Sequence, residues 1–541
     1  MKESIVSKLE SYRKAQGPFP RENLAWRVFG AGFENLGKDG KPAPLELRVP
    51  KDNEILLRID ALGLCLSDIK IINQGSAHPR LRGRDLSVDP TVLGHECSVT
   101  VVKVGARWKN TFRVGDRYVV QADIYVNGVG YAFGYLIPGG MQQYCYLDER
   151  ALAGDEGCYL IPVRPETGYS EAALAEPWAC VEMSYSIEDR SSPGDGELLI
   201  VTDEDPVNWR EANPFAMIVP RTLEGLADER FDDVIVCAPA PEIVNVLAPR
   251  LRKNGVMFLL GAPAEKGPVS IDIGRIHYDN LRFYGGIENM AAVAEVNKRS
   301  DLLEGGAALF IGAGGPMGQM HVQRALEIEN APKRVVVTDL DRSRLDHIQG
   351  RFARLAQRKA IDFKTCAPSE FTSQSAMDAA VKALAPHGYD DVVVLAPVAA
   401  LVSSAMAFAA DNAFVNVFAG LGMGSMADIP LEDLCRGVKI AGSSGSRIRD
   451  LRKVLGMVEA KQLNTNMSVA AIGGLAAGRE GLEGVKSARF PGKTVIYTQI
   501  PDLPLMALEE IPKRIPELRD KLGPQGEWTK EAEEGLLEMY L

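Results

Sequence analysis

No apolar run in the 541 residues approaches membrane-spanning length, which excludes a helical membrane protein. The start, Met1 to Lys8, lacks the continuous apolar core of a secretion signal, so a cytoplasmic location is expected. Cysteine is scarce and scattered: eight residues without clustering exclude a disulfide framework and suit a reducing compartment. Positive charge is in deficit, with 61 Lys and Arg against 72 Asp and Glu, a net charge of -11. That balance speaks against nucleic acid or an anionic membrane as partner and favours small soluble ligands, although a local basic patch can still hold a phosphorylated one. With 46% hydrophobic residues, the chain has material for two to four domains, each with its own core.

What is present centres on the stretch from Cys65 to Glu96. It opens with Cys65, Ser67 and Asp68 directly after a strand-like run from Glu54, and closes with Gly94, His95 and Glu96 directly before another from Ser98. A thiolate, an imidazole and a carboxylate delivered from two strand edges can form a three-ligand zinc site with one position open. Alone, Cys65 reads as a core thiol and His95 as a satisfied buried histidine; together they read as ligands.

At these residues the chain resembles the zinc-dependent medium-chain alcohol and polyol dehydrogenases. Further pieces of that pattern follow in order: Val114 to Arg117, Gly139 to Tyr144, Ala175 to Pro177, a glycine-rich loop at 312 to 318, and Gly492 to Tyr497. The stretches Gly75 to His78, Gly315 to Gly318 and Trp528 to Glu533 look most like the sorbose-1-phosphate reductase-like members and related sugar-phosphate or polyol dehydrogenases. The resemblance spans roughly residues 45 to 185 and 300 to 500. It implies an α/β protein in which a GroES-like β-barrel catalytic domain is joined to a Rossmann doubly wound parallel sheet. It also implies one catalytic zinc held by Cys65 and His95 with Glu96 or Glu176, either of which can be direct, water-mediated or exchangeable. Ser67 would touch the substrate oxygen and start a proton relay, or simply cap its turn. Asp68 would orient the His95 imidazole. Relatives often carry a second, structural zinc on four close cysteines; residues 121 to 134 hold none, so a single zinc is expected.

The expected domains are 1–188, catalytic with an N-terminal extension; 189–300, an inserted partial Rossmann-like α/β duplication; 301–455, the Rossmann domain; and 456–541, a return to the catalytic domain plus a tail. The insert echoes a later segment, Phe231 to Pro239 paralleling Tyr389 to Pro397 and Asn254 falling opposite Asn412. Its first strand runs into Thr202 to Pro206, which has no glycine loop and is acidic, so this copy is expected to bind no dinucleotide. The later copy leads from an apolar strand into Gly312, Gly314, Gly315, Pro316, Met317 and Gly318, then a helix, a layout that lets a pyrophosphate approach a helix N-terminus. The spacing departs from Gly-x-Gly-x-x-Gly: if Gly318 is the last glycine, Ala313 takes the first place. Asp339, ending the next strand, suits a ribose 2′-hydroxyl and favours NAD(H) over NADP(H). Arg342 and Arg344 beside it temper that preference.

Between the ligands lie His78, Arg80, Arg82 and Arg84, suited to a substrate phosphate or equally to a solvated face, and Trp178 can wall the pocket or pack in the core. The expected activity is oxidation of a secondary alcohol on a polyol, sugar or sugar phosphate and its reverse. The alternatives are a zinc-free NADPH quinone or enone reductase, or a nucleotide-sensing assembly protein. Pairing of Rossmann edge strands points to a homodimer or homotetramer, unless the insert blocks or replaces that contact.

Overall fold

The computed structural model describes residues 7–19, 21–188, 192–289 and 299–541. The expected start of the insert at 189 falls on residues outside that set. Two compact units emerge: Met1–Glu182 with Gly445–Leu541, and Met183–Ser444.

The first unit is built on an eight-stranded sheet whose central run is Arg117–Val120, Glu96–Val104, Ile55–Gly63, Lys493–Tyr497 and Val469–Gly474. Every residue of Ile55–Gly63 is buried, so this strand is covered on both faces. Charges inside it are paired: Asp60 accepts from Arg58 Nε at 2.7 Å, from Tyr12 Oη at 2.8 Å and from Thr100 Oγ1 at 2.6 Å. The antiparallel register sets Gly63 opposite Glu96 and Val495 opposite Gly63. Three strand ends, at Leu64-Cys65, His95-Glu96 and Lys493, therefore arrive at one end of the sheet. The C-terminal helix Lys530–Tyr540 packs through Leu536 and Leu537 into a cluster with Tyr12, Tyr169, Tyr497 and Trp528. Its buried Glu533 accepts from Tyr169 N at 2.6 Å, Ser170 N at 2.7 Å and Tyr497 Oη at 2.9 Å. The tail is a packing element.

The second unit holds one eleven-stranded sheet. Its order is Met217–Val219, Leu198–Val201, Phe231–Cys237, Leu251–Leu260, Arg282–Ile287, Lys439–Gly442, Ala409–Val417, Tyr389–Val394, Ala307–Ile311, Arg334–Thr338 and Asp362–Cys366. All neighbours are parallel except one pair: Arg282–Ile287 meets Lys439–Gly442 antiparallel, through Phe283 and Ile440. The six strands from Lys439–Gly442 to Asp362–Cys366 have the order of a doubly wound dinucleotide-binding sheet. The insert supplies the other five and extends beyond the segment that echoes in sequence. A separate ribbon, Pro268–Asp272 against Met426–Pro430, also joins the two halves.

Candidate functional site

Strand Ile55–Gly63 ends two residues before Cys65, which starts the helix Leu66–Gln74. His95 immediately precedes strand Glu96–Val104. Among the described residues, Cys65, His95 and Glu96 offer donor atoms that all lie within 4.8 Å of one another. Ser67 Oγ lies beside two of them, 3.0 Å from Cys65 Sγ and 3.3 Å from His95 Nε2.

Asp68 ties the two ligand-bearing segments together. Its buried carboxylate accepts from Cys65 N at 3.0 Å and from Gly94 N at 3.1 Å, and its Oδ1 lies 3.6 Å from His95 Nδ1. Nε2 is thereby aimed at Cys65 and Ser67 while Nδ1 faces the carboxylate, the arrangement a metal-bound imidazole needs. Burial alone would lower the His95 pKa; interaction with Asp68 and then Cys65 outweighs it and raises the imidazole well above its ordinary value.

Lys493, inside the stretch Gly492 to Tyr497, has a role that the sequence did not reveal. Its buried ammonium bonds Glu96 Oε1, and its charge state is held by Glu96 first and Cys65 next against the opposing effect of burial. Glu96 Oε2 is buried with no hydrogen-bond partner. It lies against Gly63, where a Cβ would fall 2.1 Å from it. A lysine opening an otherwise apolar strand was the available signal: a buried cation needs a buried anion. Tyr135 was missed as well; its ring centroid lies 6.2 Å from that of His95 and 5.6 Å from that of His78, and Arg80 stacks over it at 4.4 Å.

Glu176 stands outside the converging donor set. Burial pushes its carboxyl up to about 7, with His95 opposing, Glu96 adding and Lys493 opposing. The thiolate, imidazole and carboxylate set, with a buried unpartnered oxygen at Glu96 Oε2, fits a zinc ion.

The other substrate-side candidates separate. Arg80 pairs with Asp123, and Arg82 is exposed. His78 is buried and its Nδ1 accepts from Arg80 N at 3.2 Å; burial, then Arg80 and Lys70, lowers its pKa. Two readings require correction. Arg84 is not a free phosphate fork: its guanidinium donates to Asp89, Pro90, Tyr135 and Leu136, stapling its own loop. Trp178 does not wall a pocket: it is 0% exposed, and its indole N–H reaches Ser468 Oγ at 3.3 Å.

In the second unit, Gly312 takes φ 74° and a Cβ there would meet Ala396 Cβ at 2.6 Å. Gly318 packs against the Ala313 backbone, where a Cβ would lie 2.5 Å away. Gly315 caps the helix Pro316–Glu327 with no side chain, leaving that N-terminus open, and Met317 is half-buried in its first turn. Gly314 N donates to Asp339 Oδ2 at 2.7 Å, and Asp341 N to Asp339 Oδ1 at 3.0 Å. Arg344 Nε lies 3.5 Å from Asp341.

Residues 51–154 match the alcohol dehydrogenase GroES-like domain family. The chain is 33% identical over 286 residues to D-arabitol-phosphate dehydrogenase of Enterococcus avium, covering 44% of this chain and 77% of that protein. It is 24% identical over 495 residues to L-sorbose 1-phosphate reductase of Klebsiella pneumoniae, covering 90% of this chain and 92% of that one. Among solved structures, 2R,3R-butanediol dehydrogenase from Bacillus subtilis superposes with TM-score 0.55 at 15% identity, over 88% of this chain and 99% of that one. With the GroES-like unit, the dinucleotide-type sheet and the sulfur–nitrogen–oxygen donor set, these likenesses place the chain in the zinc-type medium-chain alcohol and polyol dehydrogenase family. It is an oxidoreductase of that family, and its cofactors are zinc and a nicotinamide dinucleotide.

Proposed function

We propose that the protein interconverts a secondary alcohol and a ketone on a polyol or sugar phosphate, with one zinc per chain and NAD(H). The convergence of donor atoms from Cys65, His95 and Glu96, with Ser67 Oγ beside the first two, carries this reading. Cys65 and His95 would hold the zinc, with Glu96 Oε2 or Glu176 as the carboxylate. The ion supplies Lewis-acid polarisation of the substrate oxygen.

Ser67 would receive the hydroxyl proton of the alcohol and pass its own proton outward, or the reverse in reduction of the ketone; the nicotinamide, when bound, would supply the hydride acceptor or donor. Asp68 fixes the imidazole and both ligand segments. Lys493 neutralises Glu96 from behind, which keeps two carboxylates and a thiolate compatible in one buried space. Arg80, half-exposed and seated on Tyr135, is the loop cation suited to a substrate phosphate, in exchange with Asp123. Phosphorylated substrates of the two named relatives support that choice. NAD(H) is favoured because the Asp339 carboxylate can accept from a ribose 2′-hydroxyl and repels a 2′-phosphate. The cytoplasm suits the free thiols.

The test is metal content of wild type and Cys65→Ala, followed by NAD-linked oxidation of polyols and polyol phosphates. One zinc per chain, lost in the variant together with the activity, is the expected result. Wild-type protein that binds NADH without zinc would instead favour the zinc-free reductase.

A further inference from the structure

The two halves of the second unit correspond at a constant offset. Phe231 of strand Phe231–Cys237 answers to Tyr389, Pro241 at the head of a helix to Ala399, strand Leu251–Leu260 to Ala409–Val417, and helix start Ile273 to Leu431. Asn254 and Asn412 both take the left-handed conformation, with φ 64° and 58°. Under the same offset, strand Pro268–Asp272 answers to Met426–Pro430, and these two strands pair with each other. Their antiparallel register centres on Ser270 opposite Asp428, which are themselves equivalent positions. This is the contact two copies of one strand make about a two-fold axis.

The main sheet obeys the same axis. Its single antiparallel junction joins the last strand of one half, Arg282–Ile287, to the last strand of the other, Lys439–Gly442. The cores fuse across it: Val234, Leu259 and Phe283 from the first half and Val392, Val415 and Ile440 from the second belong to one buried cluster. The sheet's outer edges are Met217–Val219 and Asp362–Cys366, so the junction leaves no free edge at the axis.

The first half keeps this pairing surface but not the anion-binding end. Outside that offset, but at the same place in the sheet, strand Leu198–Val201 is fourth from the antiparallel junction as Ala307–Ile311 is, and Asp205 caps its following helix Pro206–Ala212 as Gly315 caps Pro316–Glu327. Its carboxylate accepts from Val207 N at 3.0 Å, capping the helix from within, and Glu204 accepts from Trp209 Nε1 at 3.1 Å. A side-chain anion thus takes the position a pyrophosphate would use.

We propose that residues 192–289 are a resident pairing partner, a copy without cofactor that fills the self-complementary edge of the cofactor-binding half, so that the full chain is a monomer. The homodimer expected from edge pairing is realised inside one polypeptide. Light scattering of the intact protein across a wide concentration range tests this, together with hydrogen exchange and NADH titration. The expected particle has the mass of one chain, 58.8 kDa, with slowly exchanging amides at 269–271 and 427–429 and one NADH bound. A two-chain particle, rapid exchange along that ribbon in a monomer, or two NADH per chain would each overturn the proposal.

Discussion

Gly63→Ala is the most direct probe of how the metal-side cluster is held. The added Cβ would stand 2.1 Å from Glu96 Oε2 and 3.2 Å from Glu96 Cβ. To restore ordinary contact the carboxylate must retreat by roughly 1 Å or more. Retreat is resisted because Oε1 is bonded to Lys493, with side-chain exposures of 0% for Glu96 and 4% for Lys493. Full loss of a buried pair by removing one partner costs about 3–5 kcal/mol. A strained pair should lose part of that, and alanine's lower unfolded-state entropy returns about 0.4–1 kcal/mol. The expected destabilisation of the first unit is therefore about 2–3 kcal/mol. Urea unfolding followed by tryptophan fluorescence reports it well, because Trp26, Trp108, Trp178 and Trp528 all lie in that unit. In a Glu96→Ala background the clash disappears, and the same Gly63→Ala change should cost less than about 1 kcal/mol. A variant indistinguishable from wild type, or an equal cost in both backgrounds, would refute the assigned packing of Glu96.

Three further outcomes are expected. Asp339→Asn replaces one acceptor by a donor facing the Gly314 or Asp341 N–H, and should weaken NADH binding roughly tenfold in a fluorescence titration, about 1.4 kcal/mol; an unchanged Kd would count against Asp339 as the ribose partner. Glu533→Gln leaves the amides of Tyr169 and Ser170 and the Tyr497 hydroxyl with a poorer acceptor, and should lower the urea midpoint by an amount equivalent to about 1–3 kcal/mol. Asp391 is raised from 3.8 to about 6 by burial, against Arg299. The folded state thus holds this proton more tightly than the unfolded one, so its stabilising contribution is present below about pH 4 and lost as pH rises to about 6. That is a fall of about 2–3 kcal/mol in unfolding free energy, which circular dichroism should record and Asp391→Asn should abolish.

The metal-side pattern was legible because its residues sit at strand ends, where local alternation and short motifs reveal both the strand and what it delivers. Cys65, Ser67, Asp68 and His95 come together as their order implied. The role of Lys493 was not legible: it depends on register between strands more than four hundred residues apart, which no local pattern encodes. Arg84, and the choice left open at Trp178, were illegible for a related reason. An arginine in a loop looks free until the carbonyls of Tyr135 and Leu136 close on it, and a tryptophan beside a glutamate looks like a pocket wall until Ser468 takes its N–H. In the second unit, the echo at 231–239 disclosed a duplication but not its symmetry. Ser270 and Asp428 are unlike in sequence, and backbone pairing is indifferent to that difference.

The return of the chain to the first unit has a consequence for biosynthesis. Strand Lys493–Tyr497 lies between Ile55–Gly63 and Val469–Gly474, so the central sheet has a gap until the ribosome has passed residue 497. Residues 183–444 emerge earlier as one contiguous length and can collapse during translation. Until Lys493 arrives, Glu96 lacks its counter-charge. The chemistry-bearing end of the first unit is thus completed only after the whole of the second unit has been made.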